Sequence, residues 1–513
     1  PVQHEFKPEQ IYNIVNHSEA KLLFVGDVVA TTIDGEQMPQ LEGIIYLPDF
    51  SLILSRSESL TNARENLNAL FGKKYPKFFR AEDVNYFKDE ADDLALINYT
   101  SGTTGDSKGV MLSYAQYHAA LKANDECVPV GEKDRVINFL PFTHILERAW
   151  SYLALSEGAQ LIINTYPKDI QESMRATHPT CMSSVPRFWE KVYTGVKDRL
   201  DNSSAMQKKL FLRALSVGKK YNIDYLSKGK RPPLGLKLEY QMMNKTVLSL
   251  VRKQLGLEHP NIFPTAGATV SPEVEEFVHS IGINMIVGYG LTESLATVSC
   301  DHKDKPYTVG SVGRIINGLQ VKIGENNEIL LKGPTITKGY YKREELNKTV
   351  FDSEGFFRTG DAGYLKNGEL YLTDRLKDLY KTSNGKYIAP QMIEALLLVD
   401  KYIDQVAVVA DQRKFVSALI VPEFRLLEDF ARDKHIAFDS REDLCGNATI
   451  QHMMLDRIHT LQQQLAPYEQ IKRITLIPHH FSMEDGELTN TLKLRRPIIN
   501  ANYKKEIDKM YEE

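Results

Sequence analysis

The densest set of phosphate-handling groups is Tyr99-Thr100-Ser101-Gly102-Thr103-Thr104-Gly105-Asp106-Ser107-Lys108-Gly109-Val110, directly after the apolar run Leu94-Ala95-Leu96-Ile97. Its glycines permit tight turns in which backbone N–H groups converge on an anion. The hydroxyls donate further hydrogen bonds, and Lys108 supplies a positive charge. This is not the P-loop arrangement. That motif needs Lys-Ser/Thr after its second glycine, whereas Ser107 stands five residues after Gly102.

Gly288-Tyr289-Gly290-Leu291-Thr292-Glu293-Ser294 follows the run Met285-Ile286-Val287. Glycines at the end of an α/β strand let a ligand approach the backbone. Tyr289 offers a flat face to a purine, Thr292 a donor to phosphate, and Glu293 a hard oxygen ligand for Mg²⁺. Three weaker stretches follow. Thr359-Gly360-Asp361 puts a carboxylate where two ribose hydroxyls would fit. Asp374-Arg375-Leu376-Lys377-Asp378 is a charged joint. Thr489-Asn490-Thr491-Leu492-Lys493-Leu494-Arg495-Arg496 carries a lysine on a C-terminal segment. Taken singly, each of these three is an ordinary solvated stretch.

The elements that must position these residues read as α/β. Strand-like runs at Leu22 to Val25, Gly43 to Leu47 and Leu52 to Leu54 alternate with helical stretches, and the alternation resumes at Arg135–Leu140, Gln160–Asn164 and Met285–Val287. Residues 190–256 read as helical, interrupted from Gly229 to Pro233. Short strands with glycine turns between Gly310 and Tyr341 predict a small all-β unit, and strand, helix and strand signals beyond Asp374 predict a separate α+β domain. The expected organisation is a large N-terminal domain, residues 1–374, of α/β subdomains plus a β-barrel-like unit. A small mobile α+β domain, residues 375–513, follows it.

With 42% hydrophobic and 25% charged residues over 513 positions, the composition fits a globular protein of more than one domain. Cys127, Cys181, Cys300 and Cys445 lack ligand-pair spacing, which predicts reduced thiols and no zinc site. No apolar run approaches the ~18 residues of a membrane span. The net charge is −4, yet residues 197–253 hold 14 Lys and Arg against 4 Asp and Glu. Such a stretch either faces an anionic surface or is a solvated helical face.

In this order and at these separations, the motifs resemble the adenylate-forming superfamily of acyl-CoA synthetases, adenylation domains and firefly-type luciferases, over essentially the whole chain. Within it, Phe139-Leu140-Pro141-Phe142-Thr143-His144-Ile145-Leu146-Glu147-Arg148, Ser184-Val185-Pro186-Arg187-Phe188-Trp189 and Lys386-Tyr387-Ile388-Ala389-Pro390 are similar to stretches of long-chain fatty acyl-CoA synthetases. The resemblance implies an ATP- and Mg²⁺-dependent ligase that joins a fatty acid to coenzyme A through an acyl-adenylate. It implies that Thr100, Ser101, Gly102, Thr103, Thr104, Gly105 and Lys108 cradle the phosphates, with Thr100 joining Glu293 on Mg²⁺. Gly267, Ala268, Tyr289, Gly290 and Thr292 would line the nucleotide, and Asp361 with Arg375 would hold the ribose. Lys493 would bridge the reacting anions, and His144 would lie near the fatty carboxylate. Lys377 would sit near a pivot, and Ser383, Asn384 and Gly385 would face the thiol. Trp189 would gate the acyl tunnel, unless it is simply core.

The alternatives are a fatty acyl-AMP ligase that serves a carrier protein and a catalytically silent binding protein. No nucleic-acid partner is expected. The expected location is cytoplasmic, with transient peripheral contact at the inner face of a membrane. Two departures stand out. Thr265-Ala266-Gly267-Ala268-Thr269 replaces Ser-Gly-Gly-Ala-Pro, and Pro1 aligns inside the usual first domain, so the chain reads as a fragment or a processed form.

Overall fold

The structure, a computed structural model, describes residues 2, 6–84, 88, 90–100, 107–303, 305–376, 378–383, 386–489 and 493–512. It is mixed α/β with a large N-terminal part and a smaller C-terminal part. Chain contacts group the residues into two compact units. The first holds residues 1–118, 141–143 and 337–348, and the second holds the remainder.

In the first unit, strand Leu22–Val25 pairs in parallel with Gly43–Tyr46, which pairs antiparallel with Leu52–Ser55. The amphipathic helix Pro8–Ser18 buries Ile11 and Val15 against Val25, Met38, Leu41 and Ile44. A second pairing, Leu94–Thr100 with Lys108–Ser113, brings the two ends of the glycine-rich stretch together, with Thr100 opposite Lys108.

The second unit is built on a parallel layer. Gln160–Ile163 pairs with Arg135–Asn138, Cys181 bridges Val136 to Ile262, Ser184 bridges to Thr265, and Phe263–Thr265 pairs with Met285–Tyr289. The inner runs, Arg135–Asn138, Phe263–Thr265 and Met285–Tyr289, are largely buried, as strands covered on their faces are, whereas Gln160–Ile163 leaves Ile163 exposed. The strands between Gly310 and Tyr341 do not close into a barrel of their own. Ser299–Cys300 pairs with Gly288 and Tyr289 on one edge and with Arg314 and Ile315 on the other. This two-sided pairing joins them to the parallel strands in one eight-stranded sheet, ending at Gln320–Ile323.

The helical region contains Pro186–Asp201, Ala205–Lys219, Leu234–Met243 and Ser249–Gln254, with π-helical turns at Lys220–Tyr225 and Asn244–Leu248. Its positive charge is partly met by acids. Lys208 pairs with Asp201 at 2.9 Å, Arg213 with Glu239 at 2.9 Å, and Lys219 with Glu276, outside the segment, at 2.6 Å.

The C-terminal part is a three-stranded sheet, Ile403–Val409, Val416–Pro422 and Ile471–Leu476, covered by helices that include Pro390–Leu397 and Ala448–Leu461. A buried pair, Arg496 with Glu394 at 2.6 and 2.7 Å, anchors the segment after Lys493 to this core. Helix Pro186–Asp201 meets the C-terminal part through ion pairs. Arg187 reaches Asp404 at 2.6 Å, Lys401 reaches Asp201 at 2.8 Å, and Arg425 reaches Asp198 at 3.1 Å. Among the described residues no helix is long and apolar enough to cross a membrane.

Candidate functional site

One end of the site is set by a hairpin. Phe357–Lys366 and Glu369–Arg375 run antiparallel around Asn367 (φ 54°) and Gly368 (φ 79°). Two left-handed residues are what a two-residue hairpin loop of matching twist requires. The ladder then places Asp361 opposite Arg375, after an irregularity at Ala362/Gly363. A Cβ on Gly363 would stand 2.3 Å from the Tyr371 carbonyl oxygen, so the backbones there admit only glycine. Asp361 accepts from the Tyr289 hydroxyl at 2.7 Å, and Arg375 Nε lies 3.4 Å from its other oxygen. Burial first, then the Asp361 charge, raises the Tyr289 hydroxyl well above its ordinary value, so it remains a donor. A carboxylate has about four acceptor positions, so Asp361 keeps capacity for hydroxyls of a ligand.

The Gly288–Ser294 stretch turns sharply beside this pair. A Cβ on Gly290 would lie 1.7 Å from the Ala296 carbonyl oxygen. Leu295 (φ 54°) and Ala296 (φ 80°) are both left-handed, a conformation that costs non-glycine residues on the order of 1–3 kcal/mol each and clusters at functional sites. Thr292 and Glu293 sit half-exposed on the one-turn helix Thr292–Ser294. Among the described residues no three His, Cys, Asp or Glu side chains converge as metal ligands. Mg²⁺ is commonly held by one or two carboxylates, substrate phosphates and water, and Glu293 offers one carboxylate. Gly267 adopts φ 95° with only Val185 near its missing side chain, and Ala268 is exposed.

Across from the hairpin, His144 caps helix Ile145–Ser156, its Nδ1 accepting from Leu146 N at 3.3 Å. Glu147, one turn in, is fully buried. It accepts from the Asn138 amide, from Ser183 Oγ at 2.6 Å and from Leu140 N at 3.1 Å, while Asn138 also donates to Ser151 Oγ at 2.7 Å. Burial raises the Glu147 carboxyl to about 7. The His144/Glu147 spacing therefore serves a cap and a buried network. Sequence reasoning did not identify this network, because its members come from 138, 151 and 183.

Lys493 ties the two ends together. Its backbone pairs with Thr489: Thr489 N donates to the Lys493 carbonyl at 2.7 Å, and the Lys493 N–H donates to Thr489 Oγ1 at 3.0 Å. Burial, then the Arg375 charge, lowers its ammonium to about 8, against the opposing pull of Asp361 and Asp378. Burial, then the Lys493 charge, lowers His144 to about 4, leaving a neutral imidazole at neutral pH. Lys493 thus lies within electrostatic reach of the Asp361–Arg375 pair on one side and of His144 on the other.

A narrow cavity of about 50 Å³ lies beside them, lined largely by apolar groups of Leu146, Ala149, Trp150, Leu153, Ile286 and Ala296. Trp189 is fully buried, its indole donating to Ser184 Oγ at 2.9 Å and Thr265 Oγ1 at 3.0 Å, with edge contacts to Phe188 and Phe263. In this arrangement it is core, and acting as a gate would require breaking both hydrogen bonds. Thr100 and Lys108 belong to the first unit, where the Lys108 ammonium lies 5.4 Å from the Tyr340 ring centre. Ser101, Gly102, Thr103, Thr104, Gly105, Lys377, Asn384 and Gly385 lie outside the described residues. Ser383 is exposed and bonds through its amide and hydroxyl to the Arg413 carbonyl.

The profile of the AMP-binding enzyme family matches residues 1–341, and that of the AMP-binding enzyme C-terminal domain matches residues 377–513. The chain is 29% identical over 543 aligned positions to long chain acyl-CoA synthetase 6, peroxisomal, of Arabidopsis thaliana, covering 100% of this chain and 74% of that one. It is 28% identical to long-chain-fatty-acid–CoA ligase 1 of Homo sapiens, covering 98% and 73%. Among solved structures, the A domain of carboxylic acid reductase from Segniliparus rugosus, in complex with AMP and a co-purified carboxylic acid, superposes with a TM-score of 0.72 at 19% identity, covering 100% and 78%.

Proposed function

Because the chain belongs to the AMP-binding enzyme family, we propose that it activates a long-chain fatty acid with ATP as the acyl-adenylate and transfers the acyl group to coenzyme A. The observation that carries this reading is the coupling of Lys493 to Asp361 and Arg375 on one side and His144 on the other. A carboxylate and a triphosphate are both anions, so bringing them together demands a positioned cation where their charges meet.

In the first step a carboxylate oxygen attacks the α-phosphorus and the bond to pyrophosphate breaks. Lys493 neutralises the oxygens on both reactants. Asp361 accepts from the ribose hydroxyls while Tyr289 and Arg375 hold its orientation. The neutral imidazole of His144 adds no repelling or competing charge near the fatty carboxylate. Glu293 offers an oxygen to Mg²⁺, which would neutralise phosphate charge. The apolar cavity beside Trp150 suits the start of an acyl chain. In the second step the thiol sulfur attacks the acyl carbon and AMP leaves. For that, the C-terminal part turns near Lys377, withdrawing Lys493 and presenting the stretch from Ser383 to Gly385. Transient contact of residues 197–253 with an anionic membrane, where long-chain acids partition, belongs to the same reading. Vesicle co-sedimentation with Lys208, Lys209, Lys219 and Lys220 changed to Glu tests it, and unchanged binding returns the segment to a solvated face.

Lys493→Ala is the central test. Losing one preorganised charge of this kind costs roughly 3–4 kcal/mol, or about 10²–10³ in rate, so pyrophosphate-forming turnover should fall by that factor. Thioester formation from preformed acyl-adenylate should persist. Equal loss in both half-reactions removes Lys493 from the first. Adenylation kcat/KM of the free enzyme should also decline as pH rises through about 8, where Lys493 loses its charge. Turnover with a carrier-protein thiol but not with coenzyme A would favour the acyl-AMP ligase alternative.

A further inference from the structure

Helix Pro186–Asp201 carries its charges in a definite order. At 3.6 residues per turn, Arg187, Lys191, Asp198 and Asp201 fall on one face, two cations in its first half and two carboxylates in its second. The C-terminal part meets that face with the opposite order. Asp404 takes Arg187 at 2.6 Å and also Lys191, and Glu423 lies 3.8 Å from Lys191. Arg425 then reaches Asp198 at 3.1 Å, and Lys401 reaches Asp201 at 2.8 Å. Val399 is buried in the same apolar cluster as Trp189 and Tyr193 of this helix, so a hydrophobic contact accompanies the charges. Displaced by two turns or reversed, the C-terminal part would set cations on cations, so the pattern favours one docking.

Asp404 stands at the centre of this seam. Its side chain keeps 9% of its surface open, and His480 Nδ1 lies 3.0 Å from its second oxygen. The Arg187 guanidinium also donates to the Asp404 carbonyl. Burial works against a charge here, yet Arg187 and Lys191 hold the carboxyl below its ordinary value, so it is ionised at neutral pH.

The seam is continuous with the segment that carries Lys493. Asp404 lies on strand Ile403–Val409. In that strand the Gln405 side chain accepts from Phe481 N at 2.7 Å and donates to the Phe481 carbonyl at 3.2 Å. Val408 N donates at 2.9 Å to Glu394, the carboxylate that Arg496 holds. One strand therefore bears the central charge of the seam and fastens the chain on both sides of Lys493, at Phe481 and at Arg496.

On the reading that Lys493 serves adenylation, we propose that this charge-ordered seam positions Lys493 for the first half-reaction and parts before the second, with Asp404 as its central positioning residue. A single exposed ion pair contributes little. Several pairs of one order on one face act together on the balance between the docked and the turned arrangement. Weakening the seam lowers the docked fraction, so adenylation slows while thioester formation is spared or gains.

The test measures the half-reactions separately on the full chain: pyrophosphate release with ATP and oleate, and thioester formation from preformed oleoyl-adenylate and coenzyme A. Arg425→Asp should slow the first by roughly threefold to tenfold and leave the second unchanged or faster. Adding Asp198→Arg to it should restore most of the loss, which a merely structural defect would not do. Asp404→Asn should slow adenylation at least as much. Raising NaCl from about 50 to about 500 mM should shrink the gap between wild type and Arg425→Asp, because salt screens exposed pairs. In a second arm, Asp198→Cys with Arg425→Cys is treated with a short bis-maleimide. The four native cysteines are buried, so the new pair should link first. The linked chain should still release pyrophosphate but form thioester at least about tenfold more slowly, as a fixed seam demands. Equal loss in both half-reactions, no recovery in the charge swap, a gap indifferent to salt, or full thioester formation by the linked chain would each overturn the proposal. Failure to cross-link would overturn it too, and that readout needs no substrate, so it is separate from the assignment of the acid.

Discussion

Glu147 and Asp361 are carboxylates with different partners, and their surroundings could hardly differ more. Glu147 has no exposed surface, and every recorded partner is a neutral donor belonging to the protein: an amide, a hydroxyl and a backbone N–H. Asp361 faces a cation and a phenol, and its side chain keeps 14% of its surface open. The first is consumed by holding strand Arg135–Asn138, the following Leu140 and helix Ile145–Ser156 together. The second has capacity left for a ligand. A carboxylate saturated by the fold is part of the framework. One held in orientation but not saturated keeps acceptor positions open.

The largest effect that could break this contrast is on stability. Glu147→Ala strands buried donors on Asn138, Ser183 and Leu140, which should cost about 2–5 kcal/mol, seen as a lower melting temperature by calorimetry. If Asp361→Ala melts just as early, the division between framework and binding carboxylate fails.

Next comes pH. The folded-state value of Glu147 is raised to about 7, so the folded protein binds the proton more tightly than the unfolded chain does. Its contribution is fully present below the unfolded value, declines as pH rises, and is gone above about 7, a span worth on the order of 3 kcal/mol. His144 acts oppositely. Lowered to about 4, it stabilises the fold above its unfolded value and loses that contribution as pH falls. The difference between wild type and Glu147→Gln isolates the first effect. It should shrink with rising pH and be flat above about 7, and a difference constant from pH 4 to 8 would contradict the burial argument.

The smallest effect sharpens the other half. Asp361→Ala should leave melting within about 1 kcal/mol but lower kcat/KM for ATP by roughly 10–100-fold, the worth of hydrogen bonds to a charged acceptor. Steady-state kinetics at varied ATP, compared with 2′-deoxy-ATP, checks it. The variant should lose most of its discrimination against the deoxynucleotide.

How much of this was legible in the sequence depends on how far apart the partners lie. The strands at Leu22–Val25, Arg135–Asn138 and Met285–Tyr289 could be read because alternation and apolar runs are local signals. The order of the glycine motifs was legible for the same reason. The Glu147 network was not, since its donors are brought in by other strands. The merging of the Gly310–Tyr341 strands into the large sheet depended on Ser299–Cys300, a two-residue strand with no pattern of its own. Trp189 shows the same gap from another side. The string around it fits a gate and a core residue equally, and it gives no sign that the indole is held by the hydroxyls of Ser184 and Thr265. Charge counting over residues 197–253 could not see Glu276, which pairs with Lys219 from outside the window.

The hairpin turn at Asn367 and Gly368 has a bearing on how the site is assembled in time. A hairpin closes in roughly 1–10 μs because its contacts are near in sequence. Asp361 and Arg375 can therefore face each other early, while Tyr289, 72 residues upstream of the aspartate, must wait for a longer loop to close. The same locality makes the pair fragile to insertion. One extra residue in that turn would slip the ladder and send Arg375 to the opposite face of the sheet from Asp361, leaving a folded protein in which the two no longer meet.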